Sequence, residues 1–367
     1  MIATNNLILG ETFTSKRELD NFPINISDED INQKYKKGEI RIITEQARYP
    51  LDAIPSMLES QKYILDPEYQ RRKRWDDIRR SHLIESFIMN VPIPPIFLYE
   101  VDYSQYEVMD GRQRLTTIYD FYTGEFALQG LKYWQELNGR KYTNLPEQVK
   151  KGIDRRYISS IILLAETAKS EEEAEKLKQI VFERLNTGGD QLTPQETRNA
   201  LYNGKFNQLC IKLSKNDYFR KMWKLPLESD GEKKLLANEK YRKMEDVELV
   251  LRFFAYRHLD QITSPLDPYL DNYLKQANGY SDQTITELEN LFDETIDLIY
   301  YILGDSAFLL PQQKGKRRYN SPAKIVYDAI MQGFANNISS KGNLMKNHQE
   351  IKNNLYANQE LLYFQEE

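Results

Sequence analysis

The segment YEVMDGRQRLTTIYDFY, Tyr106 to Tyr122, changes its hydrophobic period halfway. As far as Asp110 it reads as a strand. From Arg112 onward Leu115, Ile118, Tyr119 and Tyr122 recur at helical spacing, which predicts a helix with one buried face. Between the two lies a polar strand-to-helix turn, Asp110-Gly111-Arg112-Gln113-Arg114. Glycine there lets the backbone approach a ligand, and the first amides of a helix lack internal partners, so such a turn is a natural anion seat. Arg112 and Arg114 add donors whose fork matches phosphate oxygens, with Thr116 and Thr117 one turn further on. Asp110 has two readings: a carboxylate that positions a metal ion or water, or a cap that neutralises Arg114.

Upstream, IFLYEV and QYEVMDG read as two short strands with DYS between them, a hairpin or a tight connection. Before them, DDIRRSHLIESFIMN predicts a helix with Ile78, Leu83, Ile84, Phe87 and Ile88 on one stripe, stopped by VPIPP. Earlier still, EIRIITEQARYP alternates, with Ile40, Ile42 and Thr44 on one face of a strand. Downstream, Gly124 is suited to close the helix, and YISSIILLAET is an apolar strand. Ser170 is suited to cap the acidic helix that follows. The junction NTGGDQLTPQETRNAL leads into another helix: Thr193 as cap, Pro194 at the first helical position and Glu196 completing a capping box. Beyond residue 200 only helical stripes remain, such as Val247, Leu249, Val250, Phe253 and Phe254. The pattern predicts an α+β chain: a polar N-terminal arm over 1–38, a small mixed sheet with helices over 39–190, and an all-α domain over 191–367.

Composition narrows the function. With 367 residues, 40% hydrophobic and 29% charged, the chain lies in the range of folded globular proteins. No apolar run approaches the roughly 20 residues of a membrane span, and no secretory signal opens the chain, so a cytoplasmic protein without membrane partners is expected. A lone Cys210 excludes an intrachain disulfide and a thiolate-built zinc site. His82, His258 and His348 are scattered, which leaves no histidine-metal nuclease finger. Net charge is −5, yet QRRKRWDDIRR, Gln70 to Arg80, carries six basic against two acidic side chains, so DNA contacts would be confined to one basic groove. The plainer reading of that run is a solvated helix face with pairs such as Asp76 to Arg80.

MDGRQRLTTIYDFYTGEF, DPEYQRRKRW, SFIMNVPIPPIFLYE and FERLNTGGDQLTPQETRNALY together resemble the N-terminal domain family of GmrSD-type restriction systems. The resemblance implies a ParB/sulfiredoxin-like fold and an Asp-Gly-Gln-Gln-Arg motif used for nucleotide binding and hydrolysis. Residue by residue, it implicates Asp110, Gly111, Gln113 and Arg114; Arg112 departs from the family's Gln, keeping donors, adding charge and removing an acceptor. The upstream match falls on Gln70, Arg71 and Trp75, where Arg71 and Arg74 suit phosphates and Trp75 suits a base stack or the core. The last match, FERLNTGGDQLTPQETRNALY, supplies Arg184, Asn186, Gly188, Glu196 and Arg198. Expectations follow for catalysis by Asp110, Gln113 and Arg114, and for ligand contacts from Gln70, Arg71, Arg74, Gly111, Arg112, Thr116, Thr117, Arg184, Asn186 and Arg198. Asp110 and Glu196 are the metal candidates, although the capping box explains Glu196 without one. The expected cofactors are a nucleoside triphosphate and Mg2+, and the expected partners are DNA, a separate nuclease and a second copy of the chain. Larger relatives carry an HNH-type nuclease module, so this chain resembles a stand-alone form. The alternative is a ParB-like binding regulator without turnover.

Overall fold

The computed structural model describes residues 7–15, 27–37, 43–65, 75–164, 170–185, 192–262, 265–310 and 321–362. It divides into two compact units, Asp20–Leu192 and Met1–Leu19 with Thr193–Glu367. The first unit carries the sheet: β1 (Thr44–Pro50), β2 (Tyr63–Ile64), β3 (Ile96–Asp102), β4 (Gln105–Asp110) and β5 (Tyr157–Leu163). Its helices are α1 (Asp28–Lys37), α2 (Ile54–Glu59), α3 (Asp77–Ile88), α4 (Arg112–Tyr122), α5 (Glu147–Asp154) and α6 (Glu171–Leu185). The strands run in the order β1-β5-β3-β4-β2. β5 pairs antiparallel with β1 and parallel with β3, β3 and β4 form the expected hairpin, and β2 lies parallel to β4. The sheet is therefore mixed.

The core of this unit lies between the sheet and α2, α3 and α4. Ile96 and Leu98 of β3, Val108 of β4 and Ile158 and Ile162 of β5 meet Leu83, Ile84 and Phe87 of α3 and Leu115, Ile118 and Phe121 of α4. Two stripes differ from their sequence reading. Ile78 is half exposed, and the inward face of α3 is completed by Ser81 and Glu85, whose polar atoms meet backbone amides of residues 129–134. On α4, fully buried Phe121 takes the place assigned to Tyr119, whose hydroxyl reaches Glu59 at 3.3 Å. Ile40 and Ile42 lie outside the described residues, and β1 is described from Thr44. Ser170 caps α6 by accepting from Glu173 N–H at 3.2 Å.

The second unit is helical: α7 (Pro194–Leu201), α8 (Lys205–Leu213), α9 (Asp217–Trp223), α10 (Glu232–Ala237), α11 (Glu239–Arg242), α12 (Glu245–Ala255), α13 (Leu266–Ala277), α14 (Asp282–Leu303), α15 (Lys324–Asn336), α16 (Lys341–Lys346) and α17 (His348–Leu362). The stripe predicted on α12 is buried, and burial extends around most of that helix. Cys210 is buried as a small apolar group, and that burial pushes its thiol pKa up. The segment expected to be a loose arm is instead part of this core over residues 7–15. Phe13 packs on Tyr269 and Tyr273, and Glu11 is buried in a two-bond pair with Arg257. A carboxylate so buried is stable only with such partners, which is why a polar stretch lies inside.

Candidate functional site: the turn between β4 and α4

β4 does not run straight into the turn. Leu98 pairs with Val108 but Phe97 pairs with Asp110, so Met109 is an extra residue, a bulge. Consecutive Val108 and Met109 are both buried, which breaks the period-two alternation and re-aims Asp110 at the strand end. Gly111 then takes φ +95°, where a side chain is strained. A Cβ there would also lie 2.4 Å from Ile96 Cγ2. Gly111→Ala is therefore expected to destabilise the sheet unit by about 2–3 kcal/mol, measured as a lower urea midpoint at unchanged m-value; an unshifted midpoint would contradict the requirement.

Gly111 is the N-cap of α4 and brings no side chain to that end of the helix. By contrast α3 is closed by Asp76, which accepts from Arg79 N–H at 2.8 Å. Arg114 folds back over the turn. Its terminal NH2 donates to Asp110 Oδ2 at 2.7 Å and to the Pro95 carbonyl at 3.1 Å, and its Nε–H is buried with no hydrogen-bond partner among the described residues. Asp110 remains half exposed while Arg114 is mostly covered. The structure thus realises the ion pair named as one reading of Asp110, and it leaves that carboxylate facing solvent.

Gln113 is tied to the neighbouring helix start, its Oε1 accepting from Trp75 N–H at 3.2 Å. Its visible role is to hold the entrance of α3 against the turn. Trp75 is half buried against the core, with the Arg79 guanidinium 4.7 Å from its ring centre, in line with the packing reading. Arg112 and Thr116 are half buried on the first turns of α4. Thr117 points inward: it is buried and its hydroxyl donates to Gln113 O at 2.7 Å, because a buried hydroxyl on a helix is satisfied by the preceding turn. Arg184 is exposed in the last turn of α6. Arg80 pairs with Asp77 at 2.8 Å and Asp120 at 2.5 Å, and not with Asp76, whose carboxylate serves as the cap.

Gln70, Arg71, Arg74, Asn186 and Gly188 lie outside the described residues. Glu196 and Arg198 belong to the helical unit, whereas the turn belongs to the sheet unit. Glu196 forms the predicted capping box, accepting from Thr193 N–H at 2.8 Å while its own N–H donates to Thr193 Oγ1 at 3.2 Å. That bond commits a carboxylate oxygen to the cap. Arg198 is buried and pairs with Asp271 at 2.6 Å, Asp267 at 2.7 Å and Glu248 at 3.3 Å. Burial favours its neutral form, but those carboxylates outweigh it and raise its pKa. Its guanidinium is thus occupied by three carboxylates of its own unit, so the observed role is structural.

Among the described residues no cluster of three His, Cys, Asp or Glu side chains is placed to hold a metal. His82 Nε2 lies 2.9 Å from Gly130 O, His348 Nδ1 lies 3.0 Å from Met345 O, and His258 is buried beside Glu11. No described helix is long and apolar enough to cross a membrane. What sequence reasoning missed at the turn is the β4 bulge and the Pro95 contact; the paired apolar residues Val108 and Met109 before Asp110 were the available signal for the bulge. No curated protein and no solved structure matches the chain. Residues 54–203 match the family model described as GmrSD restriction endonuclease, N-terminal domain.

Proposed function

Because the chain belongs over residues 54–203 to the family of GmrSD restriction endonuclease N-terminal domains, we propose that it binds and hydrolyses a nucleoside triphosphate at the Asp110–Arg114 turn. In this reading it works within a restriction system directed at foreign DNA, alongside a separate nuclease. The observation that carries the reading is Arg114: a mostly covered guanidinium beside a glycine-opened helix start, with a buried Nε–H that has no hydrogen-bond partner among the described residues. Buried donors of that kind are rare in folded chains and are met at ligand sites.

The residues present also suit the phosphates and the metal. Phosphoryl transfer asks mainly for positioning and charge stabilisation. Arg114 and Arg112 would hold phosphate oxygens, and Gly111 lets the backbone come close. Mg2+ binds through one or two carboxylates together with phosphates and water, so half-exposed Asp110 is a sufficient protein ligand. The metal would neutralise charge on the phosphates. Arg114 and Asp110, now paired with each other, would then face phosphate and metal respectively. Glu196 has no part, since the cap occupies it.

Phosphate release from ATP, GTP, CTP and UTP with Mg2+, with and without DNA, tests this. Wild type is expected to release phosphate above background, and Asp110→Ala and Arg114→Ala each to lower the rate by about 10²-fold or more. Nucleotide binding without release by folded wild type would replace the hydrolase with a binding regulator. Absence of both binding and release would overturn the site.

A further inference from the structure

The segment between α4 and α5 places exposed aromatic side chains on a loop that is held rigid from beneath. Tyr133 is 74% and Trp134 39% exposed. Under them Glu85 of α3, itself buried, accepts from the N–H groups of Tyr133 at 2.8 Å, Trp134 at 2.9 Å and Lys132 at 3.3 Å. Burial pushes the Glu85 pKa up, but the three amide donors outweigh it and hold it below the usual carboxylate range. Ser81 Oγ accepts from Gln129 N–H at 3.0 Å, and Asn138 Oδ1 from Leu131 N–H at 3.1 Å. A loop bonded at this density would fold with polar residues at its crest, so hydrophobic burial explains neither Tyr133 nor the part of Trp134 that faces solvent.

Charge says what covers them. Lys132, Arg140 and Lys141 surround the pair in sequence, and none makes an ion pair with a carboxylate among the described residues. Arg140 donates to Asn144 O and Lys141 to Gly124 O, both neutral carbonyls, and exposed Glu136 is the one carboxylate among residues 132–141, so the stretch keeps an excess of positive charge. Such local positive charge on a chain of net charge −5 disfavours an ordinary protein interface, where lysine is depleted. Exposed aromatic faces on a hydrogen-bonded support, in a segment that carries an excess of cations, are what successive unpaired bases and their phosphates require. We propose that Tyr133 and Trp134 form a stacking platform for single-stranded nucleic acid, with Lys132, Arg140 and Lys141 contacting its backbone. For its DNA the platform rests on the restriction-system reading, but it does not depend on the nucleotide site.

The test is fluorescence anisotropy of labelled oligothymidylate with the full chain at low salt, alongside a duplex of equal length. Wild type is expected to prefer the single strand. The Tyr133→Ala/Trp134→Ala double variant is expected to bind about tenfold or more weakly, with Trp134→Phe retaining most affinity. Lys132→Glu should weaken binding and flatten its salt dependence. Thermal unfolding of Lys132→Glu should match wild type, since that side chain is exposed, and the affinity of the double variant is compared per folded molecule, with Trp134→Phe keeping a ring at the partly covered position. Absence of wild-type binding, equal affinity in the double variant, or preference for the duplex would overturn the platform. Phosphate release by the same variants separates the two readings: oligothymidylate binding that needs Trp134, in a chain that releases no phosphate, would uphold the platform and reject the hydrolase.

Discussion

Glu11→Gln is expected to destabilise the helical unit by about 3–5 kcal/mol at neutral pH, because it leaves a buried arginine without its counter-charge. Arg257 donates to both Glu11 oxygens, at 2.7 and 2.8 Å, Ile8 N–H donates at 2.9 Å, and His258 Nε2 lies 3.5 Å away. Burial alone would raise this carboxyl; His258, Arg257 and the Ile8 amide outweigh it and bring its pKa down to about 2, against an ordinary value of 4.5. A depressed carboxylate stabilises the fold only while it is ionised. Its contribution is complete above the unfolded value and is lost as pH falls through the folded one, from about 4.5 to about 2.

Urea unfolding should therefore show a large gap between wild type and Glu11→Gln at neutral pH, and a gap that narrows as pH falls from about 4.5 towards 2. Trp223 is the tryptophan of the helical unit, so Trp75→Phe and Trp134→Phe together provide a background in which fluorescence reports that unit. A gap that is small, or that does not change with pH, would mean the N-terminal segment is not held through this carboxylate.

Arg198→Ala is expected to cost a similar amount, about 3 kcal/mol or more. The buried guanidinium joins three helices: it sits on α7 and pairs with Glu248 of α12 and with Asp267 and Asp271 of α13. Without it, carboxylates face one another across that junction, although the exposure of Asp267 and Asp271 lets water absorb part of the repulsion. The same variant separates structure from ligand binding. A structural Arg198 lowers the urea midpoint and leaves phosphate release per folded molecule unchanged. A fall in release or nucleotide affinity at unchanged stability would return it to the binding site.

Much of the molecule was legible from local pattern. The strand-to-helix turn at Asp110–Arg114, the β3–β4 hairpin, the cap at Thr193 with Glu196, and the helical second half follow from periodicity and from residue types with few conformational options. A glycine between a strand and a helix, or Thr-Pro-x-Glu before an apolar run, constrains its own neighbourhood strongly enough to be read alone. The match to the family model over residues 54–203 was legible too, because four motifs in order are far more specific than one.

Other features depended on partners distant in sequence. Nothing local distinguishes Glu11 from a solvated carboxylate until Arg257 and His258 close around it, 246 residues away in the first case. Arg198 looks like a ligand-binding arginine until Asp267, Asp271 and Glu248 surround it. Gln113 and Thr117 share the first turns of α4 with the arginines, but Gln113 is bonded to Trp75 N–H and Thr117 is turned inward. Sequence by itself determined the strands of the β3–β4 hairpin, the helices α3, α4 and α7 and the turn between β4 and α4, because backbone preferences and hydrophobic period act over a few residues. Only the tertiary structure decided which charges are spent on the fold and which still face solvent, because burial and long-range pairing set the free energy of a charged group.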